Sequence, residues 1–312
     1  MKMMFKLFFI SFCMTLFTSQ AFAETPFSPI SSNHHELKIL SWNIYMLPYI
    51  SLFNNNGERA KVIADKLEHS DYQIIVFQEA FSSKCRNILA KGLIKEYPYQ
   101  YGPANKNNLP FKTNSGLWVV SKIPLTQLGE IQFSVCKGFD AVARKGAVLF
   151  DGCYNGSCFQ LLATHLQADN SSKLRYKQCA EIKEHLLNPN FRQDTPQFIC
   201  GDFNIDMDDS SNYQQMLKTL DAQNGELSGA VKVTYDEVNN NLAKIVNGKP
   251  RIIDYVLVRN GTFIRNVERK VQTFFYKIGD SESHLSDHYA MEFNVSFMPS
   301  FDNASVQIVS AR

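Results

Sequence analysis

Short apolar runs, each ending in a polar residue, recur along the chain and predict interior β-strands. Residues 37–44 alternate and then become fully apolar, residues 71–79 contain four apolar residues in a row, and residues 196–202 repeat this design. Such near-continuous runs are typical of strands that are buried on both faces of a sheet. Further strands are predicted at 115–124, 127–135, 144–150, 158–166, 251–258 and 290–297.

Helical spacing separates several of these strands. Residues 58–69 carry apolar positions three and four apart, and Ser82 is the expected N-cap of a helix that reaches to about residue 95. Two more helices are predicted at 173–187 and 210–220, whereas residues 224–249 are loop-rich.

One β-hairpin is specified by its turn. Asn155 and Gly156 stand between two predicted strands, and this dipeptide favours a two-residue turn. The turn would place Cys153 and Cys158 opposite each other, so we expect a disulfide there, with two free thiols as the alternative. Cys200 lies in an apolar run and is expected to be a buried thiol.

The first 23 residues have the pattern of a signal peptide. Lys2 and Lys6 form a basic start, an apolar segment follows, and the small residues around Ala23 suit cleavage. The apolar segment is too short for a membrane anchor, so we expect a protein that is secreted or periplasmic after cleavage near Ala23. The rest of the chain is expected to divide into a polar segment at 24–36, a catalytic domain at 37–297 and a tail at 298–312.

The charge balance disfavours one class of partner. The 312 residues include 32 basic and 30 acidic side chains, and loss of the leader removes two lysines, which leaves 32 − 2 = 30 of each sign. A non-specific nucleic-acid-binding protein normally carries a strong basic excess. We therefore expect no nucleic-acid partner, although a local basic patch is compatible with a neutral total.

Polar side chains at the ends of the apolar runs carry the candidate chemistry. They are Asn43, Glu79, His165, Asp202, Asn204, Asp254, Asp287 and His288. A carboxylate at the end of one interior strand, beside an amide at the end of another, suits a hard cation such as Mg²⁺. Asp254 is embedded among apolar residues and needs a partner, since an unpaired buried charge is costly, and His288 is the expected one.

At these positions the sequence resembles the endonuclease/exonuclease/phosphatase superfamily. The matching motifs are a strand ending in Asn43, Gln78-Glu79, Thr164-His165, Gly201-Asp202-Phe203-Asn204, Asp254-Tyr255 and Ser286-Asp287-His288. Within the superfamily the chain is most similar to the neutral sphingomyelinases, especially the secreted bacterial sphingomyelinase C type. Residues 43–48, 116–124, 164–168 and 286–289, together with Lys145-Gly146, carry this second likeness.

The resemblance implies an α/β (α+β) fold of the deoxyribonuclease I type, a four-layer αββα sandwich in which two mostly antiparallel sheets pack together with helices outside. It implies that Glu79, with Asn43 and Asp287 beside it, holds Mg²⁺ or another divalent cation. His165 and Asn204 would hold phosphate oxygens, Asp202 would orient or deprotonate water, and Asp254 would orient His288. Asp202 and His288 are both open as the general base.

The implied function is a secreted, monomeric phosphodiesterase that cleaves sphingomyelin, or another phospholipid head group, by direct attack of water. A secreted deoxyribonuclease and a phosphoinositide phosphatase are the alternatives within the fold, and a non-catalytic toxin or lipid-binding module is the alternative outside catalysis. Phe274, Phe275 and Tyr276 occupy the place of a membrane-inserting hairpin in the secreted enzymes. They are expected to form either a transient membrane contact or an ordinary strand.

Overall fold

The computed structural model describes residues 36–47, 55–106, 113–168 and 171–298. The predicted signal peptide at 1–23, nearly all of the polar segment at 24–36 and the tail beyond residue 298 lie outside the described residues. Among the helices in these four ranges, none is long and apolar enough to cross a bilayer.

The described chain contains sixteen strands and four α-helices. In order, the first elements are β1 (Leu37–Asn43), α1 (Asn56–Glu68), β2 (Ile74–Gln78), α2 (Ser83–Leu93), β3 (Tyr99–Tyr101), β4 (Trp118–Ser121), β5 (Leu125–Gln132), β6 (Gly146–Tyr154) and β7 (Ser157–His165). They are followed by α3 (Ser172–Ile182), β8 (Gln197–Asp202), α4 (Ser210–Leu220), β9 (Leu227–Ser228), β10 (Tyr235–Asp236), β11 (Pro250–Arg251), β12 (Asp254–Arg259), β13 (Ile264–Gln272), β14 (Phe275–Ile278), β15 (Ser281–His284) and β16 (Ala290–Phe297).

Two large sheets contain most of the strands. The seven-stranded sheet has the order β3-β4-β2-β1-β16-β13-β9, and the five-stranded sheet has the order β12-β8-β7-β6-β5. Neighbours are antiparallel except for β1 with β2, β7 with β8, and β9 with β13. The sheets are therefore mixed but mostly antiparallel, as predicted.

Three apolar clusters define four layers. The central cluster fills the space between the sheets, where Phe198 of one sheet meets Phe293 of the other with ring centroids 5.1 Å apart. A second cluster packs α1 and α2 on the outer face of the seven-stranded sheet around Trp42, and a third packs α3 and α4 on the outer face of the other sheet around Met216. The predicted αββα sandwich is confirmed, and burial of both sheet faces explains the continuous apolar runs.

Strand register brings distant residues to one rim. β1 and β2 run parallel with Asn43 beside Gln78, and β7 and β8 run parallel with His165 beside Asp202. β12 runs antiparallel to β8, so its first residue, Asp254, also lies beside Asp202. The polar ends of these strands consequently meet at one end of the sandwich.

The predicted hairpin and its disulfide are confirmed. Asn155 and Gly156 have φ values of 48° and 83°, the left-handed pair that a two-residue turn requires. Cys153 lies opposite Cys158 across β6 and β7, and the two form a disulfide. Cys200 is a buried free thiol, also as predicted.

Two element predictions need correction. The helix predicted at 173–187 begins as α3 but ends in a π-helical turn at Lys183–Leu187. The strand predicted at 251–258 as interior is instead the edge of its sheet, because among the described residues β12 pairs only with β8, apart from a bridge between Gln223 and Val258. Its side chains are still mostly buried, since the second sheet and the outer helices cover its two faces, and this burial gives it the composition of a central strand.

Candidate active site

Asp202 lies at the centre of the polar rim. It ends β8, and 1% of its surface is exposed. Its Oδ2 accepts a 3.0 Å hydrogen bond from Nδ2 of Asn43 and lies 3.4 Å from Nε2 of His165 and 3.6 Å from Nε2 of His288. Its Oδ1 accepts the backbone N–H of Asn204 at 3.0 Å. Burial raises the pKa of Asp202 to about 6, so its carboxylate is more basic than an exposed one.

His288 is held between carboxylates. Its Nδ1 lies 2.9 Å from Oδ2 of Asp254, its Nε2 faces Asp202, and its ring packs 4.8 Å from the ring of Tyr235. Burial alone would lower the pKa of His288, but the charges of Asp254, Asp202 and Asp287 raise that pKa well above the usual value. The imidazole is therefore positively charged at neutral pH, and both of its nitrogens are donors.

Lys145 places a buried ammonium group beside His165. Its Nζ lies 2.9 Å from Nε2 of His165, 2.9 Å from the backbone oxygen of Leu166 and 2.9 Å from Oδ1 of Asp140. Burial, reinforced by the Lys145 charge, holds the pKa of His165 well below its usual value. His165 is therefore neutral, and because Nε2 accepts from Lys145, the ring proton is assigned to Nδ1.

Glu79 follows β2 in a strained backbone conformation. Its φ is 54°, in the left-handed region where a residue with a side chain costs roughly 1–3 kcal/mol. Gly116 has φ 73° and approaches so closely that a Cβ there would lie 3.1 Å from the Cα of Glu79. Oε2 of Glu79 is buried and has no hydrogen-bond partner among the described residues. Burial and then the charge of Asp287 raise the pKa of Glu79 to about 7.

A divalent cation fits the corner around Glu79. Burial also raises the pKa of Asp287, so the charged form is disfavoured at two neighbouring carboxylates. Mg²⁺ prefers oxygen ligands of this kind, and it would stabilise the charged form of each. Asn43 can contribute as well, since its Oδ1 accepts one 3.1 Å bond from the N–H of Tyr45 and retains a second lone pair.

A second group of ligand atoms lies nearby. Asp202, Asp254 and His288 each offer an atom within 4.8 Å of the others. The Nδ1 atom of His288 is engaged by Asp254, and a metal there would need the neutral imidazole that the carboxylates disfavour. Oδ1 of Asp254 is an unpaired buried oxygen, as Oε2 of Glu79 is, so the charged and already engaged imidazole is what favours the Glu79 corner for a cation.

The structure brings the eight predicted residues to the same rim. Direct contacts join six of them, namely Asn43, His165, Asp202, Asn204, Asp254 and His288. Glu79 and Asp287 are linked to the rest through their charges, because each responds to the field of its neighbours. Asn204 orients Asp202 through its backbone, while its Nδ2 donates to the backbone oxygen of Leu166 at 3.3 Å.

Sequence reasoning missed several residues that support the site. Lys145 was noted as part of a family likeness, but its position before an apolar run gave no sign of an active-site contact. Arg59 is fully buried on α1 and donates to the backbone oxygens of Ile44, Tyr45 and Leu285, so it fastens the end of β1 to the segment before Ser286. The signal that could have found it is a charged residue on the apolar face of a predicted helix.

Thr234 and Tyr235 were missed because they lie in the loop-rich region. The Oγ1 of Thr234 accepts the backbone N–H groups of Ile253 and Asp254 at 3.0 and 3.2 Å, which positions the start of β12. Tyr235 covers the ring of His288. An irregular segment thus orients both members of the Asp254 and His288 pair.

The three aromatic residues before Ser286 are half-buried at the base of a hairpin formed by β14 and β15. Phe274 packs against Trp42 with ring centroids 4.7 Å apart, and Phe275 packs against His284 at 4.5 Å. Phe274 and Tyr276 both join the apolar cluster beneath α1 and α2. These side chains therefore pack inward, as those of an ordinary strand do.

Comparison with known proteins agrees with this geometry. A model of the endonuclease/exonuclease/phosphatase family matches residues 40–288. Phospholipase C of Staphylococcus aureus is 29% identical over 243 residues, covering 71% of this chain and 73% of that protein. Sphingomyelinase C of Bacillus cereus is 27% identical over 308 residues, covering 85% of this chain and 91% of that protein.

A solved structure shares the fold and holds metal. The crystal structure of a mutant beta toxin from Staphylococcus aureus with bound magnesium ions superposes with a TM-score of 0.72 at 25% identity, covering 85% of this chain and all of that one. The deoxyribonuclease I-like fold is thereby established, and the family model spans most of the described residues. The chain belongs to the endonuclease/exonuclease/phosphatase family, where its relatives include bacterial sphingomyelinases and phospholipases C.

Proposed function

We propose that this chain is an exported, Mg²⁺-dependent phosphodiesterase that hydrolyses sphingomyelin to ceramide and phosphocholine. The names of its bacterial relatives support the substrate, and the magnesium bound by a structural neighbour supports the cofactor. The basic start and cleavage pattern of the first 23 residues support export. The function rests most directly on one observation, the convergence of Asn43, His165 and His288 on the buried carboxylate of Asp202.

Asp202 is the proposed general base. Its raised pKa, about 6, lies near neutral pH, where a base is effective yet largely deprotonated. The amide of Asn43 and the backbone N–H of Asn204 fix its two oxygens, so it can take a proton from a water aimed at the phosphorus. The water oxygen forms the new bond to phosphorus while the bond to the ceramide oxygen breaks, without a covalent enzyme intermediate.

His288 is the proposed donor to the phosphate and its leaving oxygen. It is protonated because three carboxylates surround it, so it can stabilise developing negative charge and supply the proton that the ceramide oxygen needs. Asp254 holds the ring through Nδ1 and directs Nε2 toward Asp202. A protonated His288 is a poor base, which favours Asp202 for that role.

Lys145, with neutral His165 beside it, supplies a second positive charge near Asp202. Glu79, Asn43 and Asp287 are the residues that would hold Mg²⁺. When bound, the ion supplies Lewis acidity toward a phosphate oxygen. Our assignment of ligands predicts that Glu79 is the least replaceable of the three, since its Oε2 has no other partner among the described residues.

A substrate panel tests the proposal. The purified chain is incubated with sphingomyelin vesicles, duplex DNA and phosphoinositide vesicles, each with Mg²⁺ and with EDTA, and the released phosphocholine, nucleotides and phosphate are measured. We expect Mg²⁺-dependent release of phosphocholine. Release of nucleotides or phosphate without phosphocholine would replace the proposal by a nuclease or a phosphatase, and inactivity on every substrate would favour a non-catalytic lipid-binding module.

A further inference from the structure

Apolar side chains that protrude into solvent are concentrated on two loops. Phe139 is 98% exposed and Val246 is 90% exposed, whereas the next most exposed large apolar residue in the described ranges, Ile245 at 57%, is a neighbour of Val246. A single exposed apolar residue needs no explanation, but nearly complete exposure of an aromatic ring is costly in water. The exposure of these side chains is interpreted from where the two loops lie relative to the active site.

The loop that carries Phe139 is fastened beside His165. The adjacent Asp140 pairs with Lys145 and accepts the backbone N–H of Ala168 at 2.7 Å. The side chain of Gln167 bonds both backbone groups of Lys137, at 2.9 and 3.0 Å. Because Gln167 and Ala168 directly follow the end of β7, the turn at Gly138–Ala141 is tied to the rim of the active site.

The loop that carries Val246 is fastened beside His288. It leaves the strand pair of β10 and β11, where Tyr235 covers the His288 ring. Nδ2 of Asn240 donates to the backbone oxygen of Ser286 at 2.9 Å, two residues before that histidine. Both protruding apolar side chains therefore belong to segments that contact the active site from different elements.

The hairpin of β14 and β15 lacks such a tip. Phe274 and Tyr276 pack inward, and the exposed residues at the turn are mainly charged or polar, including Lys277 and Asp280. Ile278 is 44% exposed, less than half the exposure of Phe139. The predicted contact through the hairpin aromatics is thus less compatible with the structure than a contact through the two loops.

We propose that Phe139 and Val246 form a bilayer-contact surface that seats the active site on a phosphocholine-lipid membrane. This inference rests on the proposed function, because a sphingomyelin phosphodiesterase must reach its substrate at such a surface. Apolar tips enter the interface between head groups and acyl chains, and lysines beside them can remain at head-group level. Lys137 and Lys244 are exposed next to the two tips and fit that arrangement.

Tryptophan insertion tests the contact without using activity. Phe139→Trp and the matched control Phe263→Trp are compared, since Phe263 is 42% exposed on the turn after β12, at the opposite end of that strand from Asp254. The native Trp42 and Trp118 are buried and give a constant background. With phosphatidylcholine vesicles, we expect a blue shift of the emission for Phe139→Trp and none for the control. No shift at 139, or equal shifts in both variants, would overturn the proposal.

Truncation then tests the functional consequence. Phe139→Ser should weaken co-sedimentation with these vesicles by about tenfold, because a buried aromatic contact is lost, and Val246→Ser should weaken it less. Phe263→Ser should leave co-sedimentation unchanged. Hydrolysis of sphingomyelin vesicles at limiting lipid should fall in parallel, whereas turnover of soluble p-nitrophenyl phosphocholine should persist. An equal fall on the soluble ester would show that Phe139 acts through the Asp140 and Lys145 pair and would refute membrane contact.

The two proposals fail in different ways. If the parent chain hydrolyses no phosphocholine ester, the proposed function fails, while the fluorescence comparison still decides whether position 139 enters a bilayer. If the parent is active on vesicles but the emission at position 139 does not move, only the bilayer-contact surface is refuted.

Discussion

Replacement of Asp254 by asparagine isolates the contribution of one buried carboxylate to the chemistry. Asp254 is 1% exposed, and its Oδ2 lies 2.9 Å from Nδ1 of His288. Asparagine has nearly the same shape and can still accept a hydrogen bond, so packing at the start of β12 should survive. The substitution removes one of the three charges that raise the pKa of His288.

The expected loss follows from the hydrogen bond that changes. A hydrogen bond to a charged group contributes about 1.5–3 kcal/mol and a neutral one about 0.5–1.5 kcal/mol. The midpoints of these ranges differ by about 1.25 kcal/mol, which corresponds to a fall in rate of nearly tenfold and is taken as the lower limit. If the amide NH₂ turns toward Nδ1 instead, it selects the wrong tautomer, and the equivalent change in serine proteases lowers kcat about 10⁴-fold. We expect Asp254→Asn to fall between these limits.

Two measurements check this expectation. The first is the rate of phosphocholine release with Mg²⁺, with Asp65→Asn, an exposed carboxylate on α1, as the matched control. The second is an NMR titration of His288, whose pKa should fall from its raised value toward the usual one. A rate equal to that of the parent, with the titration unchanged, would refute the role of Asp254.

The same pair predicts how stability depends on pH. Because the pKa of His288 is raised in the folded chain, the pair stabilises the fold fully below the unfolded pKa of about 6.5. That stabilisation is lost as the pH rises through the raised value, since the folded state then releases the proton it had retained. Asp254→Asn should flatten this dependence in urea unfolding measured across the pH range.

Three further changes give distinct results. Glu79→Gln should abolish the increase in melting temperature on addition of Mg²⁺. In EDTA above pH 7 the variant should be at least as stable as the parent. The parent then holds the buried Glu79 charge, which the raised pKa of about 7 shows to be unfavourable. A melting temperature that still rises with Mg²⁺ would contradict the ligand assignment. Lys145→Met should destabilise the fold by about 3 kcal/mol and lower the rate, because it leaves Asp140 with an unpaired, largely buried charge. Urea unfolding measures the stability and phosphocholine release measures the rate. Unchanged stability would show that the Lys145 and Asp140 pair is screened. Replacement of Cys153 and Cys158 by serine should lower the free energy of unfolding by about 2 kcal/mol, the value expected for so short a loop. The rate should be unchanged, because the turn lies at the opposite end of β7 from His165. A large loss of activity would contradict this separation.

The ends of the strands could be predicted from the sequence because both faces of each sheet are covered. A polar residue at the end of an apolar run marks the point where a strand leaves the core. Asn43, His165 and Asp202 could be recognised for this reason. The same covering made β12 resemble a central strand, since composition reports burial of side chains and not whether both edges are hydrogen-bonded. Edge position depends on which strands pair, which is a property of the whole fold.

The supporting residues were hidden for a different reason. Lys145 and Arg59 are buried charges that donate to backbone oxygens, and Lys145 also pairs with Asp140. Residue type alone predicts a solvated surface position for both. Only the fold shows that both side chains are buried and which backbone and side-chain groups they bind.

Contacts between the sheets explain why the active site and the sandwich depend on each other. Asn43 belongs to the seven-stranded sheet and Asp202 to the five-stranded sheet, so their 3.0 Å hydrogen bond crosses the interface between the sheets. His288, which lies just before β16 of the seven-stranded sheet, meets Asp254 of the five-stranded sheet through its Nδ1 at 2.9 Å. A relative shift of the sheets would break these bonds before it exposed the central core. Loss of catalytic geometry should therefore be an early consequence of loosened packing, which makes the rate a sensitive measure of how tightly the two sheets are held together.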